Sequence, residues 1–86
     1  MKTKLYAVHD SVASVYGQVF QLLNDDIAKR TLIPVVNNPE HNYGMFPKDY
    51  TLYSLGIYDD EIGTIEIEQH EICNLSELVQ ENNNGV

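Results

Sequence analysis

Tryptophan is absent from this 86-residue chain, cysteine occurs once, and only five residues carry a positive charge. The single thiol, Cys73, leaves no intramolecular disulfide to form, so nothing here calls for an oxidising compartment. Five Lys and Arg against thirteen Asp and Glu give a net charge of −8. That balance opposes binding to a phosphate backbone, which needs cations to displace counterions. It favours solubility and attraction to basic partners or metal ions. Lys2 and Lys4 are followed by no apolar run of signal-peptide length, and no stretch approaches the roughly 20 apolar residues of a membrane span. A cytosolic protein with no membrane contact is expected. No glycine-rich phosphate loop is present. The length allows one domain, expected over residues 1–80 with a polar, disordered tail over 81–86. A chain this short buries only roughly 60 % of its unfolded surface. Its core is thin, and dimerisation is a low-cost way to bury more.

What the chain does have is tyrosine, six against two phenylalanines, within an apolar fraction of 43 %. Tyrosine suits half-buried sheet faces and contact surfaces, because its ring is apolar and its tip is wet. Residues 3–9 alternate, Leu5 and Ala7 against Lys4, Tyr6 and Val8, as a first strand does. Asp10-Ser11 reads as a turn. The β-branched and aromatic content after it predicts a strand from Tyr16 to Leu23, with Gly17 a candidate bulge or loop end.

Asn24-Asp25-Asp26 is the clearest helix start, a capping side chain followed by two acids at the positive end of the helix dipole. Apolar residues recur four apart through Ile27/Ala28, Leu32 and Val35/Val36. They predict one helix over 25–37, kinked at Pro34, where the hydrogen bond to Arg30 is lost at roughly 3 kcal/mol. Asn37-Asn38-Pro39 ends it. Residues 38–49, with two prolines, a glycine and no periodicity, read as a loop. Its Tyr43, Met45 and Phe46 are expected to fold back as a lid over one end of the core.

The most legible stretch is Asp49 to Gln69, a hairpin. Thr51, Tyr53, Leu55 and Ile57 alternate with Tyr50, Leu52, Ser54, Gly56 and Tyr58. Ile65 and Ile67 alternate with Thr64, Glu66 and Glu68, the pattern of a strand with its apolar face covered and its acidic face in water. The turn Asp59–Gly63 ends in a glycine suited to the left-handed conformation. Gln69 to Glu71 are expected to bend away. Residues 72–80 suggest a last short element, either a helical turn capped by Asn74 or Ser76, or a strand extended through Ile72 and Cys73. The resulting fold class is α+β: a small antiparallel sheet of three to four strands in ββαββ order, packed on one helix, with a short C-terminal helical turn or strand.

Chemistry-bearing residues are sparse. Asp59, Asp60 and Glu61 offer hard oxygen ligands, but their spacing is not that of a calcium loop. His9, His41 and His70 have no paired ligand spacing with one another or with Cys73, which reads better as a small buried hydrophobe. Ser11 and Ser14 beside His9 and Asp10 are better explained by turn chemistry than by a triad, since strand neighbours point to opposite faces. No cofactor or metal is expected, and the expected class is not an enzyme. Tyr6, Tyr16, Phe20, Tyr50, Tyr53 and Tyr58 can supply a stacking platform on a sheet face. Lys2, Lys4, Lys29 and Arg30 can make a basic patch if the first strand neighbours the helix. Lys2, Lys4, Tyr6, Tyr16, Phe20, Lys29, Arg30 and Tyr53 are the candidate contacts to DNA or a partner.

The runs YAVHDSVASVYGQVF, LLNDDIAKR and FPKDYTLYSLGIYDDEIG, with the Asn-Pro after the helix, resemble the small nonstructural protein of gokushoviruses, single-stranded DNA phages of the microvirus group. The shared hairpin positions are Pro47, Asp49, Tyr50, Leu52, Leu55, Gly56, Tyr58 and Asp59, and the resemblance spans about residues 5–65. The chain departs from the pattern at Gln18-Val19, where the family commonly has proline and a second aromatic, and at Pro34. The resemblance implies a protein absent from the virion that takes part in making or packaging the single-stranded genome in the host cytoplasm; some members are labelled DNA-binding. It supplies no catalytic residues. The function expected first is binding to a viral replication or procapsid protein, as a homodimer. A single-stranded DNA binder using an aromatic sheet face, and an acidic DNA mimic that blocks a host protein, are the alternatives.

Overall fold

The structure, a computed structural model, describes residues 1–80; the tail expected to be disordered lies outside them. Five strands form one antiparallel sheet: β1 (Lys2–Asp10), β2 (Val15–Tyr16), β3 (Phe20–Leu22), β4 (Tyr50–Asp59) and β5 (Thr64–Asn74). β1 and β4 are central, β5 is one edge, and β2 and β3 share the other, both pairing with β1. Helix α1 (Asp25–Val36) and the single turn α2 (Asn42–Met45) connect β3 to β4, and 3-10 turns cover Pro47–Asp49 and Leu75–Leu78. The class is α+β as expected, with five strands rather than three to four.

The helix forms where its start signal lies. Asn24 takes the extended conformation and its side chain accepts the Ile27 N–H at 2.9 Å, with Asp25 and Asp26 in the first turn. The chain stays helical through Pro34, which is exposed, and ends at Val36. Asn37 closes the end by donating its backbone N–H to the Ile33 carbonyl at 3.1 Å and its side-chain amide to the same oxygen at 2.8 Å. Ala28, Leu32 and Val36 face the sheet and pack with Tyr6, Val8, Leu52, Cys73 and Leu75 into the core.

Two single-residue irregularities decide which side chains share a face. In an antiparallel pair, opposed residues point to the same side, and one extra residue flips everything beyond it. The expected strand Tyr16–Leu23 is broken: Tyr16 opposes His9, whereas Phe20 opposes Tyr6, so four residues on one chain match three on β1. The Gly17 N–H still bonds the Val8 carbonyl at 2.8 Å across the gap. Leu55 is the extra residue on β4, since Ser54 opposes Tyr6 and Gly56 opposes Leu5. Alternation therefore does not run unbroken from Thr51 to Ile57: Ile57 joins the helix side, opposite Lys4, and Tyr58 the other, opposite Thr3. At Gly56 a Cβ would lie 2.6 Å from the Glu66 carbonyl oxygen, so the hairpin closes there only on glycine.

Three further expectations are corrected. Gln69 to Glu71 do not bend away; β5 continues through them to Asn74, absorbing two register shifts, and Asn74 then caps the last 3-10 turn in a capping box with Glu77. The loop 38–49 contains α2 and a 3-10 turn, and only Tyr43 of its three large apolar residues returns to the core, against Tyr50 at 4.7 Å between ring centres. Met45 and Phe46 remain exposed. Ile65 and Ile67 are not covered either, at 55 % and 83 % exposure. The cause is facing: register pairs Ile65 with Tyr58 and Ile67 with Gly56, on the side of the sheet away from α1. Length leaves the hairpin tip bare on the helix side as well. The twelve residues of α1 span about 18 Å, whereas the ten of β4 span about 33 Å. The hairpin tip outruns its helix, and the radius of gyration is 14.2 Å where about 12 Å is usual for a chain this size.

Candidate binding face

Register divides the sheet into a helix side and an open side. Tyr6, Val8, Leu52, Ser54 and Cys73 lie on the first. The open side takes the alternate residues: Thr3, Leu5, Ala7 and His9 of β1, Thr51, Tyr53 and Tyr58 of β4, and Ile65, Ile67, Gln69 and Glu71 of β5. Tyr16 joins them from β2. Its ring centre is 4.5 Å from that of His9 and 5.4 Å from that of Tyr53, which it meets edge-on at 73°. Gln69 Nε2 donates to the Tyr16 hydroxyl at 2.8 Å, so one tyrosine reaches from the β2 edge to the β5 edge. Desolvation under these neighbours, then the Tyr16 and Glu71 charges, push the Tyr53 phenol above its ordinary value.

The eight candidate contacts separate accordingly. Tyr16 and Tyr53 are brought together on the open side. Tyr6 and Phe20 stack on the helix side at 5.7 Å and 27°, with Tyr6 fully buried. Lys4 lies beside Tyr6, its Nζ donating to Asp25 Oδ1 at 2.8 Å, while the Tyr6 hydroxyl donates to the same oxygen at 2.7 Å. Burial pushes the Asp25 carboxyl up, but the Lys4 and Tyr6 bonds outweigh it and leave the group below its ordinary value. Burial and the Asp25 bond drive the Tyr6 phenol well above its own. Lys2 opposes Asp59 across the β1–β4 pair. Lys29 and Arg30 sit on α1, on the helix side. The bases and the open-face aromatics are thus on opposite sides of the sheet.

The remaining polar groups serve structure. Asp10 Oδ1 accepts the Val12 and Ala13 N–H groups, and the Ser11 hydroxyl donates to the Asp49 carbonyl. His41 Nδ1 accepts the Tyr43 N–H at 3.0 Å. Asp60 and Glu61 hold the Met1 ammonium at 2.6 and 3.1 Å. Cys73 is buried in the core, and that burial pushes its thiol up, away from reactivity. Sequence reasoning missed a groove of about 390 Å³ on the helix side, lined by Val8, Val19, Phe20, Leu32 and Tyr43. The sequence signal for it was Gly17, a candidate bulge or loop end; the break in strand pairing over 17–19 sets Val19 and Phe20 at the groove.

Against protein-family models, the chain matches the family described as Phage ORF5 protein over residues 3–78. The chain belongs to this family. No curated protein and no solved structure matches it. The Phage ORF5 match runs from β1 into the last 3-10 turn, so both sides of the sheet fall within it.

Proposed function

We propose that this phage protein acts by binding and not by catalysis, as a nonstructural protein of a gokushovirus-like phage, working in the host cytoplasm during single-stranded genome synthesis or packaging. Its family supports the phage origin, and the finer reading rests on the sequence resemblance described above. The partner is a viral replication or procapsid protein. The observation that carries the binding role is the outer edge of β5. Thr64 to Glu71 are eight consecutive exposed residues on an edge strand with no neighbour beyond it among the described residues. Such an edge is a template for an added strand, held by main-chain hydrogen bonds. Glu66 and Glu68 stand along it on the helix side and select a strand bearing Lys or Arg.

The test is capture with tagged protein from infected cells. Recovery of the replication or procapsid protein is expected, weakened in the double variant Glu66→Lys/Glu68→Lys. Recovery of neither viral protein would remove this reading. A salt-dependent shift of a labelled oligonucleotide, lost in Tyr16→Ala, would replace it with a single-stranded DNA binder. Capture of a basic host protein that high salt elutes would replace it with the acidic-mimic reading.

A further inference from the structure

We infer that the open side of the sheet is the seat of a second copy of this chain, packed sheet to sheet. The inference deepens the binding role proposed above but uses a different surface, the face of the sheet instead of the β5 edge.

The first support is charge. The chain carries thirteen acids and five bases, yet among the strand residues that register places on this side only Glu71 is charged. Lys2, Lys4, Asp59, Glu66 and Glu68 all fall on the other. Two chains of net charge −8 repel wherever their carboxylates meet. The open side is where they can approach with those charges pointed outward. Depletion of charge with enrichment in aromatics also marks the core of protein interfaces, and Tyr16, Tyr53 and Tyr58 lie here with Ile65 and Ile67.

The second support is coverage. A two-layer α+β unit of this length leaves one sheet face without a second layer: Ala7 at its centre is buried beside the Tyr16–Tyr53 cluster, whereas Ile67 on β5 is 83 % exposed. Stacked sheets pack about 10 Å apart with interdigitating side chains, which would remove Ile65, Ile67 and the Tyr16 ring from water together. The third is size. Three long strands at about 4.8 Å by about 33 Å, with the two-residue β2 beside them, give a footprint of roughly 500 Å² per copy. The total of about 1,000 Å² is the least that a biological interface needs. A basic partner finds no carboxylate row here, and a nucleic acid finds no cation.

Sedimentation of the full chain, from micromolar to near-millimolar concentration, decides it. A reversible monomer–dimer equilibrium is expected. Ile67→Lys should weaken it by about tenfold or more. Its side chain contacts no core residue, so an unchanged circular dichroism spectrum should accompany the loss. Asp26→Asn, exposed on α1 on the other side, should leave the dimer intact. A wild-type chain that stays monomeric overturns the inference, as does a dimer indifferent to Ile67→Lys. A monomer that shifts labelled oligodeoxythymidine and loses the shift in Tyr16→Ala overturns it in favour of nucleic acid on this face. A monomer that still captures its viral protein through β5 leaves the edge reading standing. A dimer that captures none removes the edge reading alone.

Discussion

Ser54 is 1 % exposed, and its hydroxyl has no hydrogen-bond partner among the described residues. A buried donor left without a partner costs roughly 1–3 kcal/mol. Ser54→Ala removes that cost with little change in volume, and should raise stability by about 1 kcal/mol, read as a higher midpoint in urea with an unchanged slope. Asp25 is the opposite case, a carboxylate serving two donors, Lys4 and Tyr6. Its folded value lies below its ordinary one. Its contribution is therefore complete above the unfolded carboxyl range near about 4 and fades as pH falls through the lower folded value. Asp25→Asn should flatten the acid limb of a stability-against-pH curve below about pH 4 and leave the alkaline limb in place. An unchanged acid limb would show that the pair is fully screened. Neither residue announces its role in sequence: Asp25 reads as a helix-start acid, Ser54 as a strand residue, and their surroundings come from segments tens of positions away.

Among the elements, α1 was read most accurately, because cap, acids and apolar spacing are local and agree. Its passage through Pro34 is tolerated because Pro34 and Arg30 both lie on the exposed side of the helix, where water can satisfy the freed Arg30 carbonyl. The hairpin was legible in its existence and turn: Gly63 has φ +67° and donates its N–H to the Asp59 carbonyl at 2.9 Å. Its facing was not, because the extra residue at Leu55 leaves no mark on composition. Gly56 makes this testable. Gly56→Ala puts a methyl against the Glu66 carbonyl and forces the β4–β5 pair apart at its bulge. A loss of about 1–3 kcal/mol is expected, with amide protection falling first in the tip beyond Gly56. Equal protection loss across the whole sheet would show that the two strands do not open there.

For the whole molecule, the governing facts are a thin core under one helix and a large excess of negative charge. Among the described residues nine apolar side chains are buried, and the ion pairs are few: Lys4 with Asp25, and the Met1 ammonium with Asp60 and Glu61. Self-repulsion should then outweigh pair attraction. Raising sodium chloride from low to physiological strength shortens the screening length to about 8 Å, and should raise Tm by a few degrees. A fall in Tm would mean that the ion pairs matter more than the net charge. The candidate face belongs to this scale too. Tyr16 and Tyr53 stand out in sequence as candidate contacts, but their separation from Tyr6, Phe20 and the lysines required the sheet.

The sequence by itself determined the α+β class, the start of α1, the turn at Gly63, the burial of Cys73 and the acidic balance, all of which depend on residue type and short spacing. Only the tertiary structure decided which aromatics share a face, which carboxylate holds Lys4, and that Ile65 and Ile67 stay in water. The physical reason is the same in each case. Facing is set by register between segments far apart in the chain, and one unpaired residue in a strand reverses every side chain beyond it.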